Sequence, residues 1–139
     1  MTTVQKSMRI PKETVKEIQD IALQKGKDFS TITNELLEGA IKMHRCPGIA
    51  FGEGVSGRRA RIAGTGIEVW EVIANYKSVD KDLNRLITIY HWITEIQLRA
   101  ALAYYTAYPD EIEDLIARNE SWTRESVQKR YPFLTATRA

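Results

Sequence analysis

Three polar side chains alternate near the beginning of the chain. Gln5, Ser7 and Arg9 occupy every second position of the segment Val4 to Ile10, and residues at this spacing share one face of a β-strand. A guanidinium pairs with guanine O6 and N7, and a primary amide pairs with adenine N6 and N7. In a strand that enters a major groove, these residue types predict contacts with bases. The competing interpretation is the solvated side of an ordinary edge strand.

The elements around this strand follow from periodicity and capping residues. Met8 and Ile10 alternate with the polar positions and predict a strand with one buried face. A helix is predicted to start at Pro11 or Lys12 and to end before Gly26, a residue suited to a left-handed cap. Asp28 is the expected N-cap of a second helix that runs to about His44. The positions predicted to be buried are Val15, Ile18, Ile21, Ala22 and Leu23 in the first helix, and Ile32, Leu36, Leu37, Ala40 and Ile41 in the second.

One strand and two helices in about 45 residues make a small unit. A unit of this size rarely buries enough surface alone, and a lone strand leaves an unpaired edge. A second copy would supply both the missing strand and the missing surface. We therefore expect a homodimer through residues 1–45, with a further level of assembly left open.

The N-terminal segment resembles the ribbon-helix-helix family of Arc, MetJ and CopG. The resemblance covers residues 4–44 and depends on Met8 to Pro11, Ile18, Gly26 with Asp28, and Ile32 to Leu37. It implies that Gln5, Ser7 and Arg9 of a two-stranded ribbon contact bases in double-stranded DNA. It also implies a phosphate contact at the start of the second helix, from the amides of Phe29 and Ser30 and the hydroxyls of Ser30 and Thr31.

Two lysines of this segment, Lys6 and Lys27, are expected to attract DNA phosphates without regard to sequence. Lys6 departs from the family pattern, because many relatives carry an inward apolar residue there. Either its stem snorkels at the end of the ribbon or the ribbon begins one residue later.

A glycine-rich basic segment follows a break at Cys46 to Gly48. Arg58, Arg59 and Arg61 form either a second DNA contact or an ordinary solvated hairpin, with short strands expected near 60–63 and 67–69. Helices are then predicted from Trp70 to Lys77, around Leu83 to Tyr90, and after a capping box at Thr94 and Gln97. The last of these should bury Ile96, Leu98, Ala101, Leu102 and Tyr105, and a short acidic helix should follow over 110–119.

Residues 48–119 resemble a small antitoxin-associated domain of unknown function that is helix-turn-helix-like. The matching residues are Gly57 to Thr65, Val69 to Ile73 in outline, Leu98 to Tyr105, and Tyr108 to Ile112. The resemblance implies a VapB-like antitoxin encoded beside a PIN-like ribonuclease toxin. Gly66 replaces an arginine usual in the family and Glu68 replaces a common proline, so the loop between them departs from the pattern.

The C-terminal segment sets apolar anchors among charged residues. It is expected either to dock on the toxin or to pack against its own domain, and its anchors are Trp122, Val127, Tyr131, Phe133 and Leu134. The acidic side chains Asp110, Glu111, Glu113 and Asp114 are expected to be a solvated helix start. Mimicry of an acidic nuclease site is the alternative.

Composition narrows the class of protein. Residues 1–63 carry 11 Lys and Arg against 7 Asp and Glu, whereas residues 64–139 carry 9 against 11, so the front half suits a polyanionic partner. A single cysteine and two histidines give no set of metal ligands, and Cys46 lacks a convincing base and orienting group for nucleophilic catalysis. We expect a cytoplasmic protein that is not an enzyme and uses no metal or cofactor.

The predicted fold class is mainly α with an N-terminal β-strand. It comprises a ribbon-helix-helix dimer over 1–45, a small helical domain with a short β-hairpin over 46–119, and a C-terminal helix and tail over 120–139. The expected function is a type II antitoxin that represses its own operator, a palindrome, and neutralises its toxin. The alternative is a stand-alone ribbon-helix-helix regulator whose second domain binds a ligand or further DNA.

Overall fold

The computed structural model describes residues 2–54 and 57–120. These residues are mainly helical, with one antiparallel two-stranded hairpin. They fall into two compact units that divide between His44 and Arg45, called here the N-terminal unit and the second unit. None of the described helices has the length and apolarity needed to cross a bilayer.

The N-terminal unit contains α1, Lys12–Lys25, and α2, Phe29–Arg45. Gly26 adopts the left-handed conformation expected of a cap, with φ 64° and ψ 31°, and the Lys27 amide donates to Ala22 O at 3.0 Å. The Asp28 carboxylate accepts from the Thr31 amide at 2.7 Å, which is the geometry of an N-cap. The sequence signals for both helices and for the turn between them are thus confirmed.

The predicted strand over residues 4–10 is not formed in the single chain. Residues 2–11 have no regular secondary structure. A strand needs a neighbour to share its backbone hydrogen bonds, and the folded part of this unit consists of helices alone. The strand and the dimer therefore remain predictions.

The core of the N-terminal unit is small. Its buried side chains are Ile18, Ala22 and Ile32, with Ile21, Phe29 and Leu36 packed beside them. The prediction that Leu23, Leu37, Ala40 and Ile41 are also buried is wrong for the single chain: Leu23 is 84% exposed, Leu37 53% and Ile41 52%, and Ala40 is exposed too. Two helices can cover only one face of each other, so the remaining apolar positions stay uncovered by the described residues.

The second unit begins with a hairpin of β1, Ile49–Gly54, and β2, Gly57–Ile62. Its register pairs Ile49 with Ile62 and Phe51 with Ala60. The strand predicted near 60–63 overlaps β2, but β2 pairs with β1 and not with the segment 67–69, which contains the start of α3. Only an isolated bridge between Arg61 and Glu68 joins β2 to the later segment.

Four helices complete the described part of the second unit: α3 Val69–Ser78, α4 Leu83–Ile89, α5 Glu95–Ala107 and α6 Pro109–Glu120. The capping box at Thr94 and Gln97 is confirmed in α5. The prediction for Ile96 is wrong, because its side chain is 81% exposed. Tyr104 is fully buried, whereas Leu102 and Tyr105 are only partly buried. The core packs α3 and α5 against the hairpin, and α6 against α3 and α5. Its fully buried side chains are Ile62, Val69, Val72, Ile73, Leu86, Leu98, Ala101, Tyr104 and Ile112.

Candidate nucleic-acid interface

The N-terminal arm, residues 2–11, presents its polar side chains to solvent. Gln5, Ser7 and Arg9 are exposed, and so is Lys6 between them. The arm contains two cations and no carboxylate. On the alternate positions Val4 is 79% exposed and Met8 76%, whereas Ile10 is partly buried. The single chain therefore leaves both the polar and the apolar side of the predicted strand uncovered.

The start of α2 is the predicted phosphate contact. Phe29 and Ser30 hold its first two amides, which have no acceptor within a helix. The Thr31 amide differs, because it already donates to the Asp28 carboxylate. The Thr31 hydroxyl and amide lower the pKa of Asp28, so this carboxylate stays charged at neutral pH. A phosphate at this end would therefore contact the first two amides and meet the Asp28 charge beside them.

Lys27 is held within the N-terminal unit. Its Nζ lies 2.7 Å from Glu35 Oε1, with 47% and 32% of the two side chains exposed. Exposed ion pairs of this kind contribute only about 0–1 kcal/mol. Lys27 could exchange Glu35 for a phosphate at small cost, so the predicted contact stays compatible with the geometry.

Two of the three hairpin arginines are engaged with neighbouring side chains. Arg58 lies opposite Glu53, with 3.8 Å between the charged atoms, and its Cζ is 5.8 Å from the centre of the Phe51 ring. Arg59 reaches Glu68 at 3.6 Å, where both side chains are about one-fifth exposed. These contacts hold the hairpin together and leave less free charge for DNA than the sequence suggests.

Glu68 is the centre of a small polar cluster at the start of α3. Its Oε2 accepts from Trp70 Nε1 at 2.5 Å and also lies near the Arg59 guanidinium. One turn later, Glu71 is partly buried, and burial raises the pKa of its carboxyl, with a further contribution from the charge of Glu68. The cluster joins the hairpin to α3. It also holds the Glu71 carboxylate where burial and the charge of Glu68 disfavour its ionised form.

Replacing Glu71 with glutamine should stabilise the protein at pH 7. A carboxyl whose pKa is raised on folding binds protons more readily in the native state, so stability falls as pH rises from the unfolded pKa, about 4.3, through the folded value. Glu71→Gln removes this loss, and thermal unfolding should show a higher midpoint than wild type at pH 7 but not at pH 4. Asp114→Asn, at an exposed position of α6, is the control. A lower midpoint for Glu71→Gln at pH 7 would contradict the argument.

The acidic side chains of α6 have specific partners. Glu111 Oε2 accepts from the Tyr104 hydroxyl at 2.6 Å, and Glu113 Oε1 accepts from the Tyr105 hydroxyl at 2.5 Å and from Lys77 Nζ. Lys77 and Tyr105 lower the pKa of Glu113, and the Glu113 carboxylate raises the pKa of Lys77. Glu111 and Glu113 therefore fasten α6 to α5 and α3, which the interpretation as a solvated helix start did not foresee. Asp110 and Asp114 are exposed.

Metal binding and cysteine chemistry find little support in the described residues. Within 2–54 and 57–120, no three His, Cys, Asp or Glu side chains are arranged to hold a metal ion. Cys46 is buried, and burial raises the pKa of its thiol, which disfavours the reactive thiolate. The predicted toxin-docking residues Trp122, Val127, Tyr131, Phe133 and Leu134 lie outside the described residues.

Comparison with known proteins addresses the second unit. Residues 49–105 match the family DUF433, described as a protein of unknown function. A crystal structure described as a DUF433 member protein from Anabaena variabilis ATCC 29413 is 29% identical to this chain. It covers 78% of this chain and 99% of its own, with a TM-score of 0.44. None of the curated proteins compared matches the chain.

The DUF433 match runs from β1 into α5. It contains all three hairpin arginines and the Glu68 cluster, and it ends just after Tyr104. It does not extend to the N-terminal unit, so Gln5, Ser7 and Arg9 lie outside it. The predicted buried positions of α5 included Tyr105 and not Tyr104, and sequence reasoning missed Glu68 as a structural centre. The available signal was the spacing of Leu98, Ala101 and Tyr104, three residues apart on one face of α5.

Proposed function

We propose that two copies of this chain pair through residues 1–45 as a ribbon-helix-helix dimer that binds a palindromic operator. In this arrangement the two N-terminal arms form an antiparallel ribbon. Gln5, Ser7 and Arg9 of each arm contact base edges in the major groove, which at about 12 Å is wide enough for a two-stranded ribbon. By binding this operator, the protein represses transcription of its own gene.

The observation that carries the proposal is the exposed apolar surface of the N-terminal unit. Two buried isoleucines and an alanine form its core, while larger side chains remain uncovered: Val4, Met8, Leu23, Leu37 and Ile41. Solvation of so much apolar surface on so small a unit is unfavourable. A second copy can cover these side chains, because the same faces are exposed on it.

The magnitudes favour pairing. Burying one Val, Leu, Ile or Met side chain stabilises by about 1.5–3 kcal/mol, and two copies bring together ten of them. Association costs about 4–15 kcal/mol in lost translational and rotational freedom. Burial of most of these side chains offsets that cost, and the backbone hydrogen bonds of a new ribbon stabilise the dimer further.

Introducing a charge on the exposed face of α2 tests the dimer. Leu37→Glu should convert a dimer into a monomer in sedimentation analysis and abolish DNA binding, because the carboxylate would be buried at the interface. Ile96→Glu is the matched control, since it places the same charge at an exposed isoleucine of the second unit. A wild-type protein that sediments as a monomer, or a Leu37→Glu variant that remains a dimer, would refute the proposed pairing.

We also propose that residues 46–139 neutralise a toxin, a PIN-like ribonuclease. This part is supported by the resemblance of residues 48–119 to an antitoxin-associated domain and by the apolar anchors of the C-terminal segment. Affinity purification of the full chain expressed with the protein encoded beside it provides the test. The neighbour should co-purify with wild type and be absent from preparations of the double variant Trp122→Ala with Phe133→Ala. A nuclease-like neighbour that fails to bind wild type would favour the stand-alone regulator.

A further inference from the structure

The outer face of the hairpin carries a guanidinium with no partner in the described chain. Directly paired residues share a face of an antiparallel ladder, so Ala50 and Gly52 lie on the same side as Arg61 and Arg59. The opposite side holds Phe51, Ala60 and Ile62, of which the last two are buried. The outer face thus presents two arginines above small residues.

Arg61 lies closely over the backbone of Gly52. A Cβ built on Gly52 would overlap Cζ, Nε and Nη2 of the Arg61 side chain. The absence of a side chain at position 52 therefore creates the space that the guanidinium occupies. This placement brings the guanidinium against the backbone of the hairpin.

The hydrogen-bonding capacity of Arg61 is unused in the described residues. Its Nε atom is buried and no acceptor among residues 2–54 and 57–120 reaches it. The ion pairs of the hairpin go to Arg58 and Arg59 instead. Glu68 faces Arg61 across a backbone bridge, yet its carboxylate contacts Arg59 and Trp70.

We propose that Arg61 binds a phosphate group on the outer face of the hairpin. Two guanidinium groups against the single carboxylate of Glu68 leave this face positively charged, and a phosphate can accept hydrogen bonds from both arginines. Arg61 supplies the main contact, because its charge is uncompensated. Arg58 lies on the other face beside Phe51 and serves to hold the hairpin.

Two sources could present this phosphate: the DNA backbone and a free phosphate compound. The DNA source rests on the proposed function, in which this chain binds DNA. The free source does not depend on it. The site has the same chemistry in both cases, so the experiment separates them with two probes.

The first probe is a random-sequence 30-bp duplex, with affinity measured by fluorescence anisotropy over a salt series. Each phosphate that the protein neutralises contributes about 0.9 to the slope of log affinity against log salt. In the full-length protein, Arg61→Gln should make the salt dependence of the affinity less steep. The slope should fall by about 0.9 for each phosphate contact that the variant loses. Gly52→Ala should do the same, although it keeps the charge, because its Cβ displaces the guanidinium. Arg85→Gln removes an exposed arginine of α4 and should leave the slope unchanged.

The second probe is inorganic phosphate, with the arginine Nε–H signals followed by NMR at constant ionic strength. Saturable movement of the Arg61 signal with an unchanged DNA slope assigns the site to a free phosphate compound. A reduced DNA slope assigns it to the DNA backbone. Equal movement with acetate, or no response of Arg61 to either probe, overturns the inference. If wild type fails to bind DNA, the proposed function fails and the phosphate titration alone decides the role of Arg61.

Discussion

Replacing Gln5 and Arg9 together with alanine should abolish the preference of this protein for its operator over random DNA. In the proposed dimer, both side chains form hydrogen bonds with base edges, and a good bidentate pair contributes about 1–3 kcal/mol of discrimination. The dimer has two arms, so the double variant removes four such pairs. At about 1 kcal/mol each, their loss should lower the ratio of specific to random affinity at least about 700-fold, since about 1.4 kcal/mol corresponds to a factor of ten. The probes are a duplex from the region upstream of the gene and a scrambled duplex, compared at one salt concentration.

The control for this experiment lies on α1. Lys16→Ala with Gln19→Ala removes one cation and one amide from exposed positions of the same unit, so it matches the double variant in composition and in the charge removed. It should weaken both duplexes to a similar small extent. If the two double variants behave alike, the N-terminal arm carries charge without reading sequence, and the ribbon assignment fails.

Local signals were sufficient to predict most of the helices. Gly26 with Asp28, and Thr94 with Gln97, are short-range capping patterns whose hydrogen bonds form between residues close in sequence. The start of α5 and the turn between α1 and α2 therefore follow directly from residue types. Hydrophobic periodicity predicted that the helices exist, but it did not always predict which face of a helix is buried.

The hairpin was harder to predict because its contacts depend on register. Gly52 and Gly54 interrupt the apolar alternation of β1 and weaken its signal, and Gly57 stands at the start of β2. Only the observed ion pairs of Arg58 with Glu53 and of Arg59 with Glu68 show which arginines are compensated. The run of three cations therefore indicated a basic surface, whereas the structure distinguishes two bound arginines from the one that has no partner in the described chain.

The face that α5 buries shows a similar limit. Tyr104 and Tyr105 are adjacent, and both fit a helical period that begins at Leu98 or Ala101. Packing against Phe51 of the hairpin and Tyr108 decides between them, with ring centres 6.3 Å and 5.0 Å from Tyr104. Such a choice depends on elements distant in sequence, which a local pattern cannot contain.

Tyr104→Ala should lower the free energy of unfolding of the second unit by about 3–5 kcal/mol, the usual range for truncating a buried aromatic side chain. The Tyr104 side chain is fully buried in the core and its hydroxyl donates to Glu111 on α6. Its removal would leave a cavity between the hairpin, α5 and α6, and would leave Glu111 without this donor. Denaturant unfolding followed by tryptophan fluorescence reports on this unit, because Trp70, Trp92 and Trp122 all lie beyond residue 44.

Two further variants separate packing from hydrogen bonding. Tyr104→Phe keeps the ring and removes only the hydroxyl, so it should cost about 0.5–1.5 kcal/mol. Tyr105→Ala truncates the neighbouring tyrosine and should cost less than Tyr104→Ala, since the Tyr105 side chain is only partly buried. Equal losses of stability for the two alanine variants would mean that Tyr104 is not the centre of this core. The assignment of Glu111 to a structural role would then lose its main support, because the Tyr104 hydroxyl is the partner that defines it.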